Sequence, residues 1–504
     1  MKKTTPKVPA PSIFYQPPEE WTPHDYQKKA IRFLLEHACA ALFLDPGLGK
    51  TAITLAALKV LRKKKPLGKV LLIAPLRVCY SVWPNEIKKW SDFSEFKIEI
   101  LHGPNKKEAL EREADIYVIN PEGLEWLLQV QKVKMANKKT KVTLDIRRWK
   151  SLGFDHLIID ELSKFKHTQS IRFKSMKLVL HTFRTRWGLT GSPAANGLLD
   201  LFGQAYMLDQ GRSLGQYITH YRMEYFQTVD KNGYVWVPQE GAEERIYKRL
   251  APLVLRMSAD DHLDMPMLVE NNIRLDLPDK VRQLYDMVEE DLIAMIGDQR
   301  VMAKNAADVS TKCRQIANGG VYLTPEIIAT GFKLPKTKRE WVDLHTVKVD
   351  ALEDLIEELQ GSPALIAYDF NHDLERLKER FGADIPVIGG GVSPKKTNEL
   401  IQRWNHGELP YIFAHPAAAG HGIDGLQHVG HHVIWHSMTW DYELYDQFIR
   451  RIRRQGSRSK RVFVHHLIMR DTIDEVVLWA IKSKHRGQQA LFEGLKQLAS
   501  RRRK

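Results

Sequence analysis

The sequence predicts an α/β protein of two parallel-sheet lobes in tandem, joined by a helical connector. Three observations carry that reading. Short apolar runs alternate with helical patterns in the first half. A second series of the same kind begins near Thr346. The stretch between them, 259–340, is charged, methionine-bearing and helical in pattern. Short apolar runs separated by helices imply βαβ units, and strands covered on both faces read as unbroken apolar runs.

The elements follow in order. In the first series, residues 41–44, 70–74, 115–119, 156–159 and 186–189 are the expected strands, with a helix running from Lys50 to about Leu61. In the second, a helix over 347–359 leads past Gly361 to a strand at 364–368. A helix (372–380), a strand (385–388), a glycine turn, a helix (394–404) and strands at 411–414, 433–435 and 462–467 follow. The expected division is a basic arm (1–20), a first lobe (21–258), a helical connector (259–340), a second lobe (341–486) and a basic tail (487–504). The basic segment 132–150 reads as an inserted loop or hairpin.

Composition narrows the class. At roughly 100 to 200 residues per domain, a chain of this length holds two or three. Cys39, Cys79 and Cys313 stand in no paired spacing, which argues against a disulfide framework or a cysteine-based zinc site and suits a reducing, cytoplasmic compartment. No apolar run approaches the roughly 18 residues that cross a membrane, and the amino terminus lacks the apolar core of a secretory signal. The formal charge is +15, from 76 basic and 61 acidic residues. An excess of this size favours polyanion partners, because neutralised phosphates release counterions. Charge leaves DNA and RNA undistinguished.

Asp45-Pro46-Gly47-Leu48-Gly49-Lys50-Thr51 lies between a strand and a helix. Glycines let backbone N–H groups wrap a phosphate, and the helix terminus adds a favourable dipole there. Lys50 can reach β- and γ-phosphates, and the Thr51 hydroxyl can ligate Mg²⁺. The first glycine of the full phosphate-loop pattern would fall at Leu44, so the match is to its core. Asp160-Glu161 ends a second apolar strand. Asp160 is the expected metal-side carboxylate and Glu161 the expected general base. Thr190-Gly191-Ser192 ends a third strand and can relay hydrogen bonds from that site. In the second half, Gly420-His421-Gly422-Ile423-Asp424 offers close backbone approach and a carboxylate. Arg451 and Arg454, three apart in a helical pattern, can share one face and stabilise charge on a transferring phosphate. His428, His431, His432 and His436 lie in loop and strand without cysteine partners and read as packing or surface residues. Trp83 and Trp90 read as packing.

The order of these motifs resembles the Swi/Snf-type branch of helicase superfamily 2, in a compact form like those of bacteriophages. The resemblance runs from about Trp21 to about Lys484. Pro23-His24-Asp25-Tyr26-Gln27 resembles the adenine-side element, with Gln27 as base reader. Gly47–Thr51 resembles motif I, Ala74-Pro75-Leu76 motif Ia, Asp160–Ser163 motif II and Leu189–Pro193 motif III. Arg256 falls in a segment similar to the block closing the first lobe. Gly420–Leu426 resembles motif V, Gln447, Arg451, Arg454 and Gly456 motif VI, and Thr472–Glu475 the element after the last strand. The departures are Asp45-Pro46 in motif I, Asp424-Gly425 in motif V and Ser457 at the end of motif VI.

The resemblance implies two RecA-like lobes with ATP and Mg²⁺ in the cleft between them. Gln27, Gly47, Leu48, Gly49, Lys50, Thr51, Gly422 and Asp424 would bind the nucleotide. It implies movement along duplex DNA, often without strand separation. A monomer in the cytoplasm, of the host if the chain is viral, is expected. A DNA-packaging ATPase would share the phosphate loop but carry a nuclease domain of clustered carboxylates. An RNA-directed helicase stays open. A protein using ATP as a switch could dispense with Glu161 and the arginines.

Overall fold

Successive residues of the first-lobe strands bury on opposite faces of one sheet. Ala41, Phe43, Leu71, Ile73, Tyr117, Ile119, Leu157 and Ile159 join one apolar cluster. Ala40, Leu42, Leu44, Val70, Leu72, Ile116, Val118 and Ile158 join another. Both faces are covered, which is why these strands carry no polar alternation. The computed structural model describes residues 19–134, 140–191, 193–194, 197–228, 236–297, 303–330, 334, 340–389, 391–419 and 423–482.

The first sheet has seven parallel strands. Their spatial order is Val254–Met257, Cys39–Leu44, Thr185–Thr190, Phe154–Asp160, Lys69–Ile73, Ile116–Ile119 and Ile98–Ile100. The strands that end in the phosphate loop, the Thr190 turn and the Asp160-Glu161 pair are neighbours. Their carboxyl ends therefore open into one crevice, the usual ligand position of an open parallel sheet.

The second sheet has six parallel strands, in the order Met267–Leu275, Arg461–Met469, His432–Trp435, Ala364–Ala367, Tyr411–Ala414 and Val387–Ile388. It too separates two apolar clusters.

Within the two large sheets, three strands lie outside those the sequence predicts, and one corrects the prediction. Met267–Leu275 lies inside the stretch expected to be a helical connector, yet it pairs over nine residues with Arg461–Met469 and belongs to the second sheet. It is an edge strand with exposed Glu270, Asn271, Asn272 and Arg274, so it lacks the apolar run that marks a central strand. Its polar side chains are used across the pair: Asn272 Oδ1 meets His466 Nδ1 at 2.9 Å and Asn271 Nδ2 meets His465 Nδ1 at 3.3 Å. Helices do follow, at Asp279–Gly297 and Ala303–Asn318. The strands Ile98–Ile100 and Val254–Met257 were missed because they are short and lie at the sheet edges.

The basic segment forms an antiparallel hairpin of Gln131–Lys134 and Thr140–Thr143, followed by a helix capped by Asp145. Its tip (135–139), most of the expected arm (1–18) and the expected tail (487–504) lie outside the described residues.

A buried polar network ties the second of these helices to the second lobe. Lys348, with no exposed side-chain surface, pairs with Asp474 at 2.6 Å and donates to Asn318 Oδ1 at 2.8 Å. Asn318 Nδ2 reaches Asp373 and Ser437, and Arg376 donates to the Asn318 and His345 carbonyls. A charge taken out of water is tolerable when it is paired and hydrogen-bonded in this way.

Burial in this lobe lowers several histidines: His345 to about 4, and His436 and His466 each to about 3. Such groups bind protons in the unfolded chain near pH 6.5 but not in the folded one. Their stabilisation is full above that pH and is lost as pH falls through it. The carboxyl groups raised in the cleft act in the opposite sense, so a variant isolates the effect. Between pH 7 and 5, the wild-type urea midpoint should fall more steeply than that of His466→Gln. Parallel slopes would contradict a buried neutral His466.

Candidate active site

The Gly-rich loop follows the strand Cys39–Leu44 and opens into the helix Lys50–Lys64. Gly47 and Gly49 have φ of 95° and 76°, a region glycine enters without steric cost. Gln27 lies directly over the loop: its Nε2 donates to the Leu48 carbonyl at 3.3 Å, and a Cβ at Gly49 would sit 2.6 Å from that nitrogen. Its Oε1 accepts from the His24 N–H at 2.9 Å, which fixes the amide. Lys50 Nζ folds back to donate to the carbonyls of Leu44 (2.7 Å) and Asp45 (3.3 Å). Burial lowers its pKa, against the pull of Glu161, Asp160 and Asp45. Thr51 is the second residue of the helix.

Asp160 closes its strand and Glu161 turns out of it with φ 59°. A glutamate in that region is strained, a feature that clusters at functional sites. Burial, then the charge of Glu161, pushes Asp160 up to about 6. Burial raises Glu161 too, opposed by Lys50. Two desolvated carboxyls beside the start of a phosphate-loop helix are a donor set suited to a hard cation. Asp160 is also oriented: Trp83 Nε1 donates to its Oδ2 at 2.9 Å, and the Glu161 N–H to its Oδ1 at 3.1 Å. Trp83 is fully buried, so it does pack, but it also aims the carboxylate. The sequence contained no periodicity that links position 83 to 160.

Thr190 is buried, and a Cβ at Gly191 would meet the Pro46 ring at 3.0 Å. The third strand end thus presses on the phosphate loop. Ser192 lies outside the described residues.

The second lobe brings its arginines to the same crevice, but not on a helix. The helix Tyr442–Ile449 stops before them. Bonds from the Arg451 N–H to Phe448 O and from the Ile452 N–H to Ile449 O tighten the chain into i to i−3 turns, and fully buried Ile452 anchors the turn. The shared-face expectation from helical spacing is therefore corrected, while the convergence of the two guanidinium groups stands. Arg451 Nη1 donates to the Ile423 carbonyl at 2.7 Å, and Arg454 Nη1 pairs with Asp424 Oδ1 at 3.0 Å. Burial, then the charge of Arg454, lowers Arg451 to about 10, with Asp424 and Glu161 opposing. Gly422 lies outside the described residues. A Cβ at Gly47 would lie 3.6 Å from both Cγ and Nε of Arg454, so this arginine packs on the phosphate loop of the other lobe.

Contacts that the sequence reading did not foresee hold the lobes in this closed pose. Arg450 Nη1 pairs with Asp45 Oδ2 at 3.1 Å, an oxygen that also accepts from the Ala259 N–H. Arg453 pairs with Asp260 at 2.7 Å, and Arg77 donates to the Ala418 carbonyl at 3.1 Å. An ion pair across a tertiary junction leaves no local pattern by which to find it.

Two parallel-sheet lobes that meet at a phosphate loop, an acidic pair and facing arginines define a two-lobed nucleoside triphosphatase. Residues 26–319 match the SNF2-related domain and residues 347–456 the helicase conserved C-terminal domain. The chain belongs to the SNF2-related, Swi/Snf branch of helicase superfamily 2, and it is an ATP-hydrolysing enzyme. Protein p41 of Acyrthosiphon pisum secondary endosymbiont phage 1 is 32% identical, over 94% of this chain and 99% of that protein. The CHD3-type chromatin-remodeling factor PICKLE of Arabidopsis thaliana is 25% identical over 92% of this chain and 34% of its own length. For the ISWI chromatin-remodeling complex ATPase ISW2 of Saccharomyces cerevisiae the figures are 24%, 93% and 41%. The chain thus spans well under half the length of these two relatives. A Sulfolobus solfataricus SWI2/SNF2 ATPase core in complex with dsDNA aligns with a TM-score of 0.40 and 21% identity, covering 93% of this chain and 92% of that one.

Trp83→Phe removes the indole donor to Asp160 and keeps an aromatic ring in the core. The Mg²⁺ concentration for half-maximal ATPase should rise about 10-fold, the usual scale for losing such a supporting bond. An unchanged Mg²⁺ dependence would show that Asp160 needs no such orientation.

Proposed function

We propose that this chain is a motor that hydrolyses ATP in the inter-lobe cleft to move along nucleic acid, with duplex DNA as its track. The observation that carries the reading is the packing of Arg454 against Gly47 beside half-buried Lys50, Asp160 and Glu161. A basic excess of +15 supports a polyanionic track.

In this reading the first lobe, residues 21–258, grips the nucleotide. Gln27 meets the base side; Gly47, Leu48 and Gly49 wrap phosphate with their N–H groups; Lys50 leaves its two carbonyls to meet the β- and γ-phosphates. Thr51 and Asp160 would hold Mg²⁺, which when bound neutralises phosphate charge. Glu161 takes a proton from the water that attacks the γ-phosphorus. The second lobe, residues 341–486 together with the strand Met267–Leu275, brings Arg451 and Arg454 against the developing charge, and it contributes Gly422 and Asp424 to nucleotide binding. Thr190, Gly191 and Ser192 couple the loop to the rest of the first lobe. The bond from the γ-phosphorus to the bridging oxygen breaks and ADP is the leaving group; once phosphate departs the arginines no longer face an anion, so the cleft reopens and one lobe shifts relative to the other along the strand. A host cytoplasm is the compartment that fits this reading, and the similarity to a phage protein supports it.

Lys50→Ala and Glu161→Gln should abolish turnover. Arg454→Ala should spare ATP binding while cutting hydrolysis by about 10³, the scale of an arginine finger. Near wild-type hydrolysis in Arg454→Ala would remove the inter-lobe site. The track is tested by ATPase rates with duplex DNA, single-stranded DNA and RNA added separately, and by displacement of a triplex-forming strand. Duplex stimulation with triplex displacement is expected. Stimulation by RNA alone would favour an RNA-directed helicase.

A further inference from the structure

Glu443 is a second-lobe carboxyl in the cleft that none of the matching motifs uses. It stands in the first turn of the helix Tyr442–Ile449, whose start is set by Asp441 accepting from the Glu443 and Leu444 N–H groups. Gln447, one turn on and buried, donates through Nε2 to Glu443 Oε1 at 3.0 Å. From the other lobe, Ser163 Oγ lies 3.5 Å from the same oxygen. Ser163 is buried two residues after Glu161, and its hydroxyl favours the charged form of that carboxyl. Gln447, Glu443 and Ser163 therefore form a line that crosses between the lobes at the Ser163–Glu443 step and ends beside Glu161.

We propose that Glu443 is a positioning residue through which the second lobe aligns the first lobe's general base: docking seats its carboxyl on Ser163, and Ser163 then holds Glu161. The inference rests on the assignment of Glu161 as the base. The stereochemistry supports it. Ser163 has one hydroxyl hydrogen and two carboxyl neighbours, so both contacts are hydrogen bonds only when one carboxyl carries a proton. Burial, then the facing charge of Glu161, pushes Glu443 up to about 7, with Lys166 and Lys164 opposing and Asp441 reinforcing. Glu161 is already in a strained backbone conformation, so its side chain depends on such contacts for its direction. When the lobes part, Ser163 loses Glu443 and the base loses its alignment. Premature hydrolysis in an open cleft is thereby limited.

The test is steady-state ATPase of the full chain with Mg²⁺ and duplex DNA, on E443A, E443Q, S163A, E443A/S163A and E161Q. E443A and S163A should each lower kcat about 10-fold, the scale of a misplaced catalytic group, with KM for ATP within about twofold. The double variant should be no slower than the slower single one, because both substitutions break one chain. E443Q should recover most of the rate, since an amide can still bond Ser163. Wild-type kcat in E443A, a loss carried by KM, or additive losses in the double variant would overturn the inference. Should E443A fail to fold by thermal melting, S163A with E443Q reads the same line. Turnover surviving in E161Q would remove the general-base assignment itself. A dead E161Q beside an unaffected E443A removes this inference alone.

Discussion

Charges of both signs, half withdrawn from water, meet where the two sheets face each other. Lys50, Asp160 and Glu161 come from one lobe and Arg451 and Arg454 from the other, and burial shifts the pKa of Lys50, Asp160, Glu161 and Arg451 against its charged form. A buried charge costs several kcal/mol unless it is paired. Each lobe partners its own charges in part, as Arg454 with Asp424 does, and Arg451 and Glu161 favour each other's charged form across the cleft, so closing adds to what either lobe supplies alone. That division makes a nucleotide, itself a polyanion, able to decide between the two poses.

The rest of the architecture serves this junction. Parallel sheets must be covered on both faces, which consumes the helices and leaves the carboxyl ends of the strands as the available working edge. Three adjacent first-lobe strands deliver the phosphate loop, the acidic pair and the Thr190 turn to that edge. The second lobe is braced from behind by the Lys348–Asn318–Asp373 network, which fixes the connector helix to it. The ion pairs of Arg450 with Asp45 and Arg453 with Asp260 then set the two edges against each other. They lie on the same turn as Arg451 and Arg454, so the docking of that turn also sets Arg454 on the phosphate loop.

Most of the central strands were legible because burial on both faces forces apolar residues at every position, and 411–414 matches the observed strand Tyr411–Ala414. Met267–Leu275 was not, because an edge strand can be held by main-chain bonds to one neighbour while its side chains stay polar. The arginines were found by type and spacing, but their helix was not there: i to i−3 bonds tightened the chain at Arg450. Guanidinium groups on long side chains can reach one crevice from either backbone, which is why the two arginines face it from a turn instead of a helix.

Local sequence determined the groups whose function depends on near neighbours in the chain. The glycines that permit positive φ, the lysine and threonine at the helix start, and the two carboxylates at a strand end are set within a few residues of one another. Tertiary structure decided what spans the chain: Trp83 on Asp160, Arg450 on Asp45, and Ser163 between Glu161 and Glu443. These partners are 77, 405 and 280 residues apart in the three pairs Trp83–Asp160, Asp45–Arg450 and Ser163–Glu443. Each is brought together by the stacking of sheets and the docking of lobes, and such a contact has no period or spacing for a sequence to display.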